Sequence, residues 1–505
     1  MIKLVKNELI KIFKKKSIYI LLIISMITII IYNYMNPDQN NVTLRMSTND
    51  LNVSSLESGI KNTQNELQNL NGNIETLINK NESLEFAKLY NDFEKDSWQR
   101  YALNEERTGY GFANKSDLSY NQDITNNIKI IKEYELNPNS EVTEEQYNKA
   151  IKKYNGYLDV LHSDNWKEYT KYKINSLNEE KTSASEEDVK WLEIEIDINR
   201  LRLDNNIQYK DDIMNTYIEQ YREESYYLQS NEELKEKDDF IEKQIKATQG
   251  NISLIRYAIE NNISQDISSE KSTIITENKI DARISFIRTL ENFNLIIVII
   301  AIYISCIIVT EETNRRTIKS LLTKPHKRSS ILISKMIACL ITVLISMVFI
   351  CVSQYIVGGL IYGFDSYNLG YIGYNFNTEN VFIMNVVQFI LFEVLAKLPM
   401  YIIIILFCIF IGTINNNTSM SMILTLIIFI LASTILAEWS KVESLATVSK
   451  YFITNNWDFS TYLFGNFSEI PGINLEFSIF IFIVYFSVLV ISAIKIFNNK
   501  EINNK

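Results

Sequence analysis

Six runs of about 18 or more mainly apolar residues constrain this chain more than any other feature, because each is long enough to cross a bilayer's hydrocarbon core as a helix. They cover 18–35, 293–310, 336–362, 381–413, 420–438 and 477–497. Inside lipid every backbone polar group must be satisfied within the protein, so such runs predict helices. The first run follows Lys11, Lys14, Lys15 and Lys16, as in a signal peptide. Its apolar core is longer than a signal core and no small-residue cleavage site follows, so an uncleaved span is expected. The fourth run is too long for a simple crossing: its 33 residues would rise roughly 50 Å as a helix, against a core of about 30 Å. Pro399 lies within it and removes a backbone donor. A break or tilt is expected there, with 381–398 partly a shallow or re-entrant piece.

The average composition hides a division of charge. Residues 36–290 carry 47 acidic and 31 basic residues, whereas the remainder carries 13 acidic and 19 basic. Such segregation argues for separate compartments. The segments 1–17, 311–335 and the tail 498–505 hold most basic residues outside the acidic part, and 363–380 has Asp365 and Glu379 but no Lys or Arg. The positive-inside rule then puts both termini in the cytoplasm, with 36–290 and the loops 363–380 and 439–476 outside. Abundant Ile, Asn and Lys point to an AT-rich bacterial genome, hence a multi-pass protein of a bacterial cell membrane. Cys306, Cys339, Cys351 and Cys408 all sit in apolar runs, and His162 and His326 lie far apart. Neither a disulfide framework nor a zinc site is expected for the acidic part.

Between residues 38 and 290 there is one proline, Pro138, and six glycines. So few breakers over such a length predict long helices. Ile60, Thr63, Leu67, Leu70, Ile74 and Leu77 alternate steps of three and four, a heptad seam of about three repeats. A second helical region is expected over 185–262, with Val189, Leu192, Ile196, Leu203 and Ile207 on one stripe. Leu192, Ile194, Ile196 and Ile198 also alternate with period two, as a short strand would. The fold class expected is an all-α membrane protein: six transmembrane helices plus a mainly helical, partly coiled-coil extracellular domain. Trp98, Trp166, Trp191 and the many tyrosines suit core packing, or an aromatic surface for a peptide or lipid. Glu186, Glu187, Asp188, Asp211 and Asp212 suit a solvated helix face, or attraction of a cationic ligand. No Asp-x-Asp-x-Asp-Gly loop points to calcium.

After the second span the chain reads EETNRRTIKSLLTKPHKRSSILISK, residues 311–335. Ile318, Leu321 and Leu322 can share one helical face, Pro325 ends it, and Lys324, Lys327, Arg328 and Lys335 precede the third span. A basic loop that only fixes topology is one reading. A cytoplasmic segment placed to receive a push from a soluble partner is the other. The segment resembles the coupling region of type-2 ABC exporter permeases. There an acidic residue is followed by Gly-Thr, a Leu-Leu pair, a Pro, a basic residue and a Lys. Those places are held here by Glu312 (beside Glu311), Arg316-Thr317, Leu321-Leu322, Pro325, Arg328 and Lys335, with Arg316 where glycine is usual. The opening KNELIKIFKKKS resembles the same family's amphipathic interface helix, with Val5, Leu9, Ile12 and Phe13 on one face.

The resemblance covers both ends and all six spans, not the acidic domain. It implies a permease subunit of an ATP-driven exporter working by alternating access with a second permease, of the same or a sister chain. Family members with a large insertion between the first two spans include exporters of, or resistance proteins against, antimicrobial peptides. An amphipathic peptide or lipid is therefore the expected cargo or extracellular ligand. No Gly-x-x-x-x-Gly-Lys-Ser/Thr loop occurs, so ATP and magnesium are expected on a separate cytoplasmic ATPase subunit. No catalytic residue, metal, bound cofactor or nucleic-acid partner is assigned to this chain. Glu393 and Lys397, four apart and near Pro399, form a candidate translocation path, since charges within spans carry function by default. In 439–476 short re-entrant helices are implied by the resemblance, and Trp439 and Trp457 suit interfacial anchors. Two other readings stay open: a mechanotransmitting or sensory protein that moves no cargo, and a static anchored scaffold or receptor.

Overall fold

The computed structural model describes residues 1–35, 50–68, 73–108, 123–231, 239–263, 267, 281–314, 327–415, 417–440, 443–468, 470 and 472–499. Among these residues the chain is helical, with six helices long and apolar enough to cross a membrane. It is a membrane-embedded helical protein. A short N-terminal helix α1 (Ile2–Phe13) leads into the first such helix, α2 (Lys16–Met35). The others are α14 (Asn294–Asn314), α15 (Arg328–Tyr362), α16 (Val386–Ile414), α17 (Thr418–Ser440) and α19 (Leu475–Asn499). Their apolar residues run all round rather than on one stripe, the pattern of helices immersed in lipid or protein. Helices α14, α15 and α16 form the centre of the bundle, while α2, α17 and α19 leave most of their surface outward.

Between α2 and α14 the chain builds a serial array of antiparallel helices. These are α3 (Val53–Gln68), α4 (Ile74–Asn91), α5 (Trp98–Thr108), α6 (Asp123–Leu136), α7 (Glu144–His162), α8 (Trp166–Lys181), α9 (Glu186–Asp204), α10 (Ile213–Asn231) and α11 (Asp239–Glu260). From α6 onward each packs against the next, and α3, α4 and α6 continue the series. Local sequence sets the boundaries. Asn73, Thr143, Asn165 and Ser185 cap helix starts with their side chains, and Thr143 with Gln146 forms a full capping box. Asn206 and Asn262 take left-handed backbone at helix ends, and the amides of Ile207 and Ile263 reach back to the carbonyls of Arg202 and Ala258 at 2.9 Å. Both isoleucines are buried, so the stop signal also closes the core.

The heptad seam belongs to two helices, not one. Asn73 starts α4 afresh, and Ile60 of α3 meets Leu77 and Leu84 of α4 across a helical hairpin. Leu70 lies outside the described residues. The period-two stretch 192–198 is helical within α9. Trp98 and Trp191 are core residues: Trp98 packs with fully buried Tyr169 and Tyr209 at ring distances of 5.7 and 6.3 Å. Glu186, Glu187 and Asp188 occupy the first turn of α9, where the helix dipole favours them, and Asp212 accepts hydrogen bonds from Asn215.

Two corrections concern the region around the fourth span. The break expected at Pro399 is absent, and α16 runs through it uninterrupted. Residues 381–384, expected in a shallow or re-entrant piece, are part of a strand. Strand β1 (Tyr371–Asn375) pairs antiparallel with β2 (Asn380–Met384), Tyr371 opposite Met384 and Asn375 opposite Asn380. Gly370 precedes β1 at φ +75°, and a Cβ there would meet the Met384 carbonyl at 2.6 Å. The hairpin carries the helical array. Ile372, Tyr374 and Val381 join the core of α9, α10 and α11, while Tyr371 stacks on Phe389 of α16 at 3.9 Å. Two short helices, α12 (Ala282–Ile287) and α13 (Thr289–Asn292), link the array to α14. Short helical pieces also fill the segment after α17: α18 (Glu443–Ser449) and 3-10 turns at Ile453–Asn455 and Phe459–Gly465. There Trp439 is exposed, whereas Trp457 is buried and stacks on Phe429.

Candidate functional site

Helix α1 lies across the ends of α14 and α15, at the end of the bundle away from the helical array. Its face is Val5, Glu8, Leu9 and Ile12, spaced three and four apart. Val5 and Ile12 are buried, while Leu9 and Phe13 are half-buried. Glu8 occupies the middle of this apolar stripe at 4% exposure. A carboxylate there is costly unless it is paired and hydrogen-bonded. Lys335, 1% exposed in the second turn of α15, supplies the partner: its Nζ lies 3.0 Å from Glu8 Oε2 and 3.0 Å from the Ile308 carbonyl of α14. Lys11 Nζ reaches the other oxygen, Glu8 Oε1, at 2.7 Å. The Glu8 carboxylate thus joins α1 to α15 and, through Lys335, to α14.

Two further contacts hold the same end. Lys15, at the α1–α2 junction, pairs with Glu311 in the last turn of α14. Arg328, the first residue of α15, donates to the Asn498 carbonyl of α19 at 2.8 Å. Glu311 and Arg328 therefore stand at the two stems of the segment 315–326. That segment, with Arg316, Thr317, Leu321, Leu322 and Pro325, lies outside the described residues. So does the side chain of Glu312, whose backbone belongs to α14. The structure brings Val5, Leu9, Ile12, Glu311, Arg328 and Lys335 into one assembly, with Arg328 and Lys335 inside a span helix that starts earlier than the apolar run. Sequence reasoning missed Glu8. Its signal was there, since position 8 is three from Val5 and four from Ile12 and so falls on the buried face.

Glu393 and Lys397 are also brought together, one turn apart in α16 and almost fully buried. Lys397 Nζ lies 3.7 Å from Glu393 Oε1 and 3.1 Å from Asp458 Oδ2. Asp458 in turn caps the 3-10 turn that follows it, accepting from Ser460. Tyr401, two residues past Pro399, donates to Asn294 Oδ1 of α14 at 2.9 Å. This cluster of two carboxylates and one ammonium links α16 to the segment before α19, with Glu393 and Lys397 buried and the Asp458 side chain 31% exposed. Asp458 was not recognised as the third member, because 61 residues separate it from Lys397. A third polar knot lies where the array meets the bundle. Asn33 of α2 and Gln354 of α15 exchange amide hydrogen bonds at 2.9 and 3.0 Å, Ser285 of α12 joins both, and Tyr362 donates to the Asn33 carbonyl at 2.7 Å.

Residues 266–503, which span α12 to α19, are similar to a family described as "Protein of unknown function (DUF2705)". No curated protein and no solved structure matches the chain.

Proposed function

We propose that the chain is the transmembrane permease subunit of an ATP-driven exporter of the type-2 ABC kind, with a separate cytoplasmic ATPase docking at 315–326. One observation carries the reading: an amphipathic helix is bolted by the buried Glu8–Lys335 pair across both stems of a basic segment whose sequence resembles a coupling region. A loop that only fixed topology would need no such clamp. In this reading the termini are cytoplasmic, the helical array stands outside the cell, and the cargo is an amphipathic peptide or lipid. The ATPase subunit holds ATP and magnesium, and a second permease completes the path past Glu393 and Lys397. Purifying the tagged chain from its native membrane in mild detergent tests this. An ATPase should copurify and hydrolyse ATP, and Leu321→Asp with Leu322→Asp should remove it while the chain still elutes as a folded species. Absence of any ATPase, under conditions that keep other transporters whole, would sink the proposal.

A specific contact favours a second reading, mechanotransmission without cargo. The array is seated on the β1–β2 hairpin, which stacks on α16 through Tyr371 and Phe389. Span movement would therefore reach the array directly. Cargo-stimulated ATP hydrolysis separates the two readings, since only an exporter requires it.

A further inference from the structure

We infer that the seam between α1, α2 and α14 binds one anionic phospholipid, with its phosphate on Lys11 and Lys15 and one acyl chain laid along α14. The seam is a cleft whose floor is Ile12, Ile18, Ile304 and Ile308, all buried, and whose outer wall is Tyr303 and Ile307. Its rim is charged: Lys11, Lys15 and Glu311, with Glu8 deeper. An apolar trough with an ionic rim, at the end of a membrane-crossing helix, matches a molecule with a charged head and an alkyl tail.

The sign of the head follows from the charges. The rim itself is balanced, Lys11 and Lys15 against Glu8 and Glu311, and the positive excess comes from residues 1–17 as a whole, which contain six lysines and the single acid Glu8. Basic segments beside a span attract anionic lipid headgroups, within about a Debye length. The Lys11 and Lys15 side chains keep 46% and 24% of their surface open although both touch carboxylates. An ammonium has three donors, so a carboxylate and a phosphate oxygen can share it. The tail follows from α14. Beyond Ile307 and Tyr303, Ile299 (39% exposed) and Leu295 (55% exposed) continue at steps of four, a row that winds about a third of a turn around α14. From Ile307 to Leu295 this stripe rises about 18 Å, and one leaflet's share of the hydrocarbon core is about 15 Å. A soluble anion would leave that stripe unused, so the site is assigned to a lipid.

Native mass spectrometry of the full chain, released from micelles holding equal amounts of phosphatidylglycerol and phosphatidylcholine, reads the site without any ATPase. Its failure is therefore separate from failure of the exporter reading. One phosphatidylglycerol should stay bound in preference to phosphatidylcholine. Lys11→Gln with Lys15→Gln should lower its retention about tenfold, whereas Lys3→Gln with Lys6→Gln, on exposed α1 positions outside the cleft, should change it less than about twofold. Ile307→Trp keeps both lysines but fills the trough, and should lose the lipid as well. Circular dichroism and gel filtration establish that each variant is folded. Equal retention of the two lipids would overturn the inference, as would equal losses from both lysine pairs. Displacement by millimolar inorganic phosphate would do so too, because it would mark a free-anion site.

Discussion

Buried charge is handled differently in the helical array and in the bundle. In the array it lies in the middle of helix packing. Arg202 and Arg222, both essentially without exposure, knit α5, α9 and α10 together. Arg222 meets Glu195 and Glu219 at 2.8 Å and Glu105 at 3.6 Å, while Arg202 meets Glu105, Asn215 at 2.6 Å and the Tyr209 ring face at 3.9 Å. In the bundle, the Glu8–Lys335 clamp sits at one end of α15, the Glu393–Lys397–Asp458 cluster links α16 to the segment before α19, and the uncharged Asn33–Gln354–Ser285 knot lies towards the other end of α15. Water gathers the array's helices by the hydrophobic effect, and the arginines then fix which helices meet. Between lipid-immersed helices that force is missing, so polar contacts set how the spans align.

The largest effect expected from this contrast is at Arg222. Arg222→Ala removes the cation that meets Glu195 and Glu219, while Glu105 keeps Arg202, and should cost about 3–5 kcal/mol, as removal of one buried partner does. Trp191, 5.2 Å from Tyr226, whose hydroxyl donates to Glu195, reports the unfolding by fluorescence in denaturant. A loss under about 1 kcal/mol would mean that the network is dispensable and the contrast false.

Lys335→Ala should do less and do it locally. Lys11 still holds Glu8, so about 2 kcal/mol is expected, taken from the docking of α1 and not from the bundle. Hydrogen exchange should speed up along 2–13 while α14 and α16 stay protected. Loss of protection throughout the bundle would make the clamp a general support.

The array should also respond to alkali in a way that one residue reveals. Burial foremost, and then Asp197, push the Tyr221 hydroxyl up to about 12, against the pull of Arg256. An acid raised in the folded state contributes stability below its ordinary value near 10 and loses it as pH climbs towards the folded value. From about pH 9 to about pH 11 the native chain should therefore lose about 1 kcal/mol more than Tyr221→Phe. Equal slopes would show Tyr221 to be ordinary. The smallest effect is at the other end of α2: Asn33→Leu should weaken its hold on α15 by about 1 kcal/mol or less, the usual size of a hydrogen bond between spans. Thermal unfolding in micelles reads it.

The six spans were legible because apolar length is a local property, and the face of α1 because helical period is too. The uninterrupted α16 was not, since Pro399 removes one backbone bond while packing of Ile390 and Val394 before it and of Met400, Tyr401 and Ile403 after it holds the helix on both sides. The β1–β2 hairpin escaped because residues 381–384 of β2 read as the start of the apolar run 381–413, and neither strand alternates apolar with polar residues. The seam through Ile60 and Leu77 had the right residues in one core but the wrong connectivity, as Asn73 restarts the helix between them. Partners such as Glu8 with Lys335 and Lys397 with Asp458 are 327 and 61 residues apart, and only the fold joins them.

Photocrosslinking from Lys327, exposed at the stem of α15, addresses the docking of an ATPase at the basic end. A photoreactive residue there should give one adduct with a nucleotide-binding protein in native membranes. The same residue at Glu193, exposed on α9, should give none. No adduct at 327, or the ATPase captured from 193 instead, would contradict the account.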